Sequence, residues 1–315
     1  MGRKQKMSKV ICFYHSRDLD GWTSAAIVKK KFPEAKLVGW DYGDPEPLIY
    51  DVEYEGEVLN PLHPTIDVPV DLRIPNNAKV IIVDISFNPV TMIKLKGYVK
   101  MDVIWIDHHK SAIKDAVEYD YALLNGRRRS DFAACELTWQ FFFSDSEMPE
   151  AVRLLGMYDS FRHKGSGEEH KVMIFQYGAR GFVINPSEAE IFFDMNEQQI
   201  RNILSSGKAI FDYLIIEAKG IYAKAFPVEI EEYPGLMVNR ERFNPVNFGI
   251  DYHKDGYDFF GCFWFDGENY SFSLYNDNGE LDVSYLCKKF GGGGHAGAAG
   301  FTTKDFESVL TIPPE

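Results

Sequence analysis

VICFYHSRDLDG, residues 10–21, joins an apolar run to a polar turn. Val10 to Tyr14 reads as a buried strand. His15, Asp18 and Asp20 then follow within six residues. Two carboxylates and an imidazole packed this closely repel or compete unless positive charge sits among them. A plain capping turn, with Asp20 as N-cap of the next helix, would account for one of the three.

The pattern recurs. Val80 to Val83 is apolar and stops at Asp84. Val103 to Ile106 is apolar and stops at Asp107-His108-His109. Helical spacing over Thr23–Lys31 and Asn88–Lys96, with a strand over Leu37–Trp40, completes an alternation of strands and helices. Such alternation predicts an α/β fold with a doubly wound parallel sheet. Ligands of these sheets bind at the carboxyl ends of the strands, so the three acidic ends are expected on one edge. Carboxylates mixed with imidazoles suit a hard-to-borderline divalent ion such as Mn²⁺, and no cysteine lies in these motifs to suggest structural zinc. Leu154 to Asp159, apolar with one terminal carboxylate, reads by itself as a helix face with an exposed aspartate.

At 315 residues two domains are expected. No window approaches the roughly 20 apolar residues of a membrane span, and the basic start leads into a strand too short for a signal-peptide core. Cys12, Cys135, Cys262 and Cys287 are widely spaced without a CxxC, which predicts free buried thiols in a reducing cytoplasm. A net charge of −13 disfavours sequence-independent grip on long duplex nucleic acid. It leaves room for a small phosphorylated substrate in a locally positive, metal-loaded cleft.

Arg127-Arg128-Arg129 is the densest positive run and reads equally as a solvated loop or as a phosphate approach. Ser130 is then expected to cap a helix over Ala133–Phe143. Residues 41–79 form an insertion holding Pro45, Pro47, Pro61, Pro64, Pro69 and Pro75. Residues 188–224 read as a helical linker, and 226–275 as β-rich. In GGGGHAGAAG, residues 291–300, glycines permit close backbone approach and an anion-binding nest around His295.

Taken together, HSRDLDG, VIIVDIS, WIDHHKS and LLGMYDS resemble the four ordered motifs of the DHH phosphoesterase superfamily, the nanoRNase, oligoribonuclease and exopolyphosphatase-related branch included. FGGGGHAGAAGF, residues 290–301, resembles the signature of the DHH-associated C-terminal domain. The resemblance spans about residues 8–302. It implies a catalytic DHH domain over 8–187, a helical linker over 188–224 and a smaller α/β substrate-binding domain over 225–315.

It also implies a site with two divalent ions, Mn²⁺ first, with Mg²⁺ or Co²⁺ as substitutes. His15 and Asp18 would ligate one ion, Asp20, His108 and Asp159 the other, and Asp84 would bridge. Asp107 would orient a ligating histidine, and His109 would face the substrate phosphate. Gly292, Gly293 and His295, with Arg128, would bind substrate. Two departures stand out. Many members space the first motif H-x-x-x-D-x-D, whereas this chain has H-x-x-D-x-D. Tyr275, in SLYND, stands where relatives often carry an arginine.

The expected activity is hydrolysis of short phosphodiesters, with nucleoside monophosphates released from short single-stranded oligonucleotides. The alternatives are an exopolyphosphatase, a bisphosphate nucleotide phosphatase, or a non-catalytic nucleotide-binding regulator. No membrane partner is expected, and a homodimer is compatible with the sequence.

Overall fold

A computed structural model describes residues 9–50, 69–98 and 101–313. The chain divides into two compact units, Met1–Lys208 and Ala209–Glu315.

In the first unit the order is β1 (Val10–His15), α1 (Leu19–Lys31), β2 (Lys36–Trp40), β3 (Leu48–Tyr50), β4 (Arg73–Pro75), β5 (Lys79–Val83), α2 (Pro89–Gly97), β6 (Asp102–Ile106), α3 (Lys110–Glu118), α4 (Ala134–Phe142), α5 (Glu150–Asp159), α6 (Glu169–Ala179) and α7 (Pro186–Ala189). Four strands make an all-parallel sheet in the order β2-β1-β5-β6. The pleat sends alternate side chains to opposite faces. Ile11, Phe13, Val80, Ile82, Val103 and Trp105 pack with Met92 and Leu95 of α2 and Ala112 and Ala116 of α3. Val10, Cys12, Ile81, Val83, Ile104 and Ile106 pack with Val28 of α1 and Leu137 of α4. Helices therefore cover both faces, which is why the strands read as unbroken apolar runs. A further layer from α5, α6 and the start of α8 (Glu197–Tyr222) packs Leu154, Phe175 and Ile203 against Leu19 and Ile27.

The expected insertion contains a parallel pair, β3 with β4. Its middle, with Pro61 and Pro64, lies outside the described residues. All four cysteines are free and buried. Among the described residues no helix is long and apolar enough to cross a membrane.

The second unit holds β7 (Phe226–Ile230), β8 (Tyr233–Asn239), β9 (Phe259–Phe265), β10 (Tyr270–Tyr275), α9 (Val283–Lys289), β11 (Gly293–His295) and β12 (Ala298–Thr303). Its six strands run in the order β11-β12-β10-β9-β8-β7, antiparallel except for β8 with β9. Phe259, Phe272, Leu274, Leu286 and Phe301 fill one core, and Leu236, Tyr252, Phe260 and Cys262 another, with Ala218 of α8.

One helix contact in the first unit is made by backbone. A Cβ at Gly207 of α8 would lie 1.7 Å from the Ile174 carbonyl oxygen of α6, and one at Gly178 of α6 would lie 2.2 Å from the Ile203 carbonyl oxygen. Only glycine fits there, because the obstacle is main chain and cannot rotate away. Gly207→Ala is expected to destabilise the protein by about 2 kcal/mol through overpacking. Thermal and urea melts of the purified variant check this, and an unchanged midpoint would show that the helices separate without cost.

Candidate metal centre

Strand register sets the site. Tyr14 pairs with Val83, and Val83 with Ile106. His15, Asp84 and Asp107 therefore stand level at the carboxyl edge of the sheet. Asp18 caps α1, its Oδ1 accepting from the Gly21 amide at 2.9 Å. The N-cap is thus Asp18 rather than Asp20, which lies in the first helical turn. Asp20 is tied elsewhere: the Ala134 and Cys135 amides, at the N-terminus of α4, donate to its Oδ2 and Oδ1 at 2.9 and 2.6 Å. Ser130 does not cap α4. The N-cap residue is Ala133, whose side chain cannot accept a hydrogen bond, and its own amide donates to Glu136 Oε2 at 3.2 Å. Asp159 arrives from the last position of α5.

The side chains converge. His108 Nε2 lies 3.1 Å from Asp159 Oδ2, 3.3 Å from Asp84 Oδ1 and 3.7 Å from Asp20 Oδ2. His15 Nδ1 lies 2.8 Å from Asp18 Oδ2 and 3.6 Å from Asp84 Oδ2. Three overlapping triads, His15–Asp18–Asp84, Asp84–His108–His109 and Asp20–His108–Asp159, each hold their ligand-type atoms within 4.8 Å of one another. Asp107 Oδ1 accepts from the His108 amide and from His109 Nδ1, both at 2.7 Å, which fixes the ring of His109. Asp84 adopts a left-handed backbone with φ 62°, a conformation that costs a non-glycine residue about 1 kcal/mol.

The donor set fits divalent cations. Asp84 Oδ1 is buried and has no well-aligned hydrogen bond although His108 is near. Burial pushes the Asp20 carboxyl well up, and the negative fields of Asp84 and Asp159 add to it. Burial likewise raises Asp18, with Asp84 reinforcing it. Burial opposes charge on His15, but its hydrogen bonds to Asp18, Asp41 and Asp84 prevail and hold its pKa far above the usual value. His108 is raised in the same way, against burial, by Asp159 and Asp84. Without bound cations the two imidazoles supply the positive charge that the carboxylates require.

Other expectations need revision. Arg128 does not reach for an anion. Its guanidinium donates to the carbonyls of Trp105 at 2.8 Å, Ala122 at 3.1 Å and Leu124 at 2.6 Å, and lies 5.1 Å above the Trp105 ring. Arg127 donates to Gln140 Oε1, and Arg129 pairs with Asp131. Main-chain bridges of Ile104 with Asn125 and of Asp107 with Arg128 hold this segment alongside β6. Residues 293–295 form strand β11 paired with β12 rather than a loop. A Cβ at Gly292 would meet the Gly300 carbonyl oxygen at 2.1 Å, and Gly294 has φ +140°, but at Gly293 a Cβ would meet nothing within 4 Å.

Sequence reasoning missed Asp41. It follows β2 as the other acids follow their strands, and that position was the available signal. Its Oδ1 lies 3.3 Å from His15 Nε2, and Arg17 Nε donates to its Oδ2 at 2.5 Å. Asp41 thereby holds the far nitrogen of His15 and turns Nδ1 toward Asp18 and Asp84.

Residues 9–157 match the family described as DHH family, N-terminal domain. No curated protein sequence matches the chain. Among solved structures, the DHH domain of a protein described as belonging to a family of ribosomal proteins is similar over 93% of this chain and 82% of its own, with 13% identity and a TM-score of 0.51. A pGpG-specific phosphodiesterase from Vibrio cholerae is similar over 94% of both chains, with 12% identity and a TM-score of 0.45. An exopolyphosphatase-related protein from Bacteroides fragilis covers 95% of this chain and 87% of its own, with 14% identity and a TM-score of 0.46.

Because the surrounding carboxylates raise the pKa of His15 and of His108, cations must compete with protons to bind. Mn²⁺ affinity is expected to rise with pH, with release of protons on binding. Calorimetric titrations in buffers of different ionisation enthalpy measure that release, and affinity independent of pH would contradict the assignment of the two histidines.

Proposed function

We propose that the chain, whose residues 9–157 match the DHH family N-terminal domain, is a divalent-metal-dependent phosphoesterase acting on short phosphodiesters, releasing nucleoside monophosphates from short oligonucleotides. The observation that carries this reading is the convergence of His15, Asp18, Asp20, Asp84, His108 and Asp159 at one sheet edge in overlapping ligand groups.

In this reading His15 and Asp18 hold one Mn²⁺, and Asp20, His108 and Asp159 the other. Asp84, whose carboxylate neighbours both histidines, serves both positions. Bound divalent ions supply Lewis acidity toward a phosphoryl oxygen and a lowered pKa for water. The chain does the rest. Asp20, fixed by two amides, keeps its carboxylate aimed inward. Asp107 holds the His109 ring so that it can donate to a phosphate oxygen.

We assign residues 8–187 to catalysis, 188–224 to a linker and 225–315 to substrate binding. Within the last, Gly292, Gly293 and His295 contact the substrate. Gly293 is the best supported, because nothing in the fold forbids a side chain there. Arg128 is left out of substrate binding, since both of its terminal nitrogens already donate to main-chain carbonyls.

Two measurements test the reading. Asp84→Ala should lower the content of both metals together, by elemental analysis, and reduce hydrolysis by orders of magnitude; a folded variant with unchanged stoichiometry would reject the shared role. Substrate length gives the second. An acidic chain replaces few counterions along a long backbone. RNAs of about two to five nucleotides should therefore show higher kcat/KM than a strand of about twenty or than polyphosphate, with base stacking on aromatic side chains favouring nucleotides. Efficient processive degradation of the longer strand, or preference for polyphosphate, would replace the substrate assignment.

A further inference from the structure

Arg180 follows α6 directly, as the residue after its last helical position, and is exposed. Its guanidinium lies over two phenol rings, 5.5 Å from the centroid of Tyr158 and 5.3 Å from that of Tyr177. The Tyr158 ring is itself held in place. Tyr158 stacks on buried His163 at 5.6 Å with an interplanar angle of 12°, and His163 Nδ1 is held 3.0 Å from the Met157 carbonyl oxygen. The guanidinium is therefore preorganised without a carboxylate: among the described residues it makes no ion pair.

Its position matters. Tyr158 immediately precedes Asp159. Desolvation opposes charge on Arg180, and the Tyr158 and Tyr177 phenols, then the Asp18 carboxylate, favour it. Asp18 and Asp159 are the open carboxylates of the centre, their side chains 33% and 29% exposed, whereas those of Asp20 and Asp84 are 2% exposed. Arg180 thus sits on the side from which a substrate can enter. A guanidinium in that place, lying over two phenol rings and in no ion pair among the described residues, suits recognition of a phosphate oxygen.

We propose that Arg180 is the phosphate-recognition residue of this centre, its guanidinium binding a non-bridging oxygen of the group presented to Asp18 and Asp159. This deepens the phosphoesterase reading and rests on it. It also fills the place that Arg128 leaves.

The test measures AMP binding to the Mn²⁺-loaded protein by calorimetry, beside metal content and hydrolysis of a diadenylate. Arg180→Gln should retain wild-type metal content, bind AMP about tenfold to a hundredfold more weakly, and raise KM. Arg180→Lys, which keeps the charge and loses the fork, should fall between. Unchanged AMP affinity in Arg180→Gln, loss of its metals, or a wild-type protein that binds no AMP would overturn the proposal. If Arg180→Gln does not fold, Arg180→Lys decides in the same way, unchanged affinity again overturning it. A wild-type protein that binds AMP through Arg180 yet hydrolyses no phosphodiester would reject the phosphoesterase reading and leave this one standing. Full hydrolysis with Arg180-independent AMP binding would do the reverse.

Discussion

Four aspartates brought this close inside a protein cannot all remain ionised without positive charge among them. That constraint organises the first unit. The parallel register brings His15, Asp84 and Asp107 level, and Asp84 accepts a left-handed backbone to turn its carboxylate inward. His15 and His108 are placed where each lies beside three carboxylates. Asp20 is partly neutralised by the amides that open α4, where the helix dipole favours an anion. Each device lowers the cost of the same charge cluster, and together they leave a nest ready to exchange protons for metal.

Much of this was legible because strands and their terminal acids are local in sequence. An apolar run of four residues stopping at Asp84 or Asp107 announces both the strand and the edge. Asp159 was different. At the end of an amphipathic helix it resembles any exposed aspartate, and only its place in an ordered set of motifs distinguished it. Asp41 shared the acidic strand end but went unnoticed, because it was read as the first residue of the proline-rich insertion over 41–79.

The misread residues share one physical cause: sequence records which groups a side chain carries, and the fold decides where they go. Arg128 looked like free charge, yet three carbonyls near the end of β6 needed donors, and its guanidinium met them. Ser130 looked like a cap, yet α4 is capped by Asp20 from a distant segment and by Glu136 from within. In the glycine run, strand pairing explains Gly292 and Gly294 and leaves Gly293 unexplained by packing.

The Asp20 clamp also bears on the order in which the molecule can form. Its hydrogen bonds join positions separated by 114 and 115 residues. Closing a loop of that span forfeits chain entropy before any contact rewards it. The parallel pairings of β1 with β2 and β5 impose the same kind of demand, since every one is non-local. The α4 amides reach their acceptor only once the sheet has brought the first helix to them. Assembly of the centre therefore belongs to the late, cooperative part of folding, and a partly folded chain carries its aspartates apart, with no preformed place for a metal.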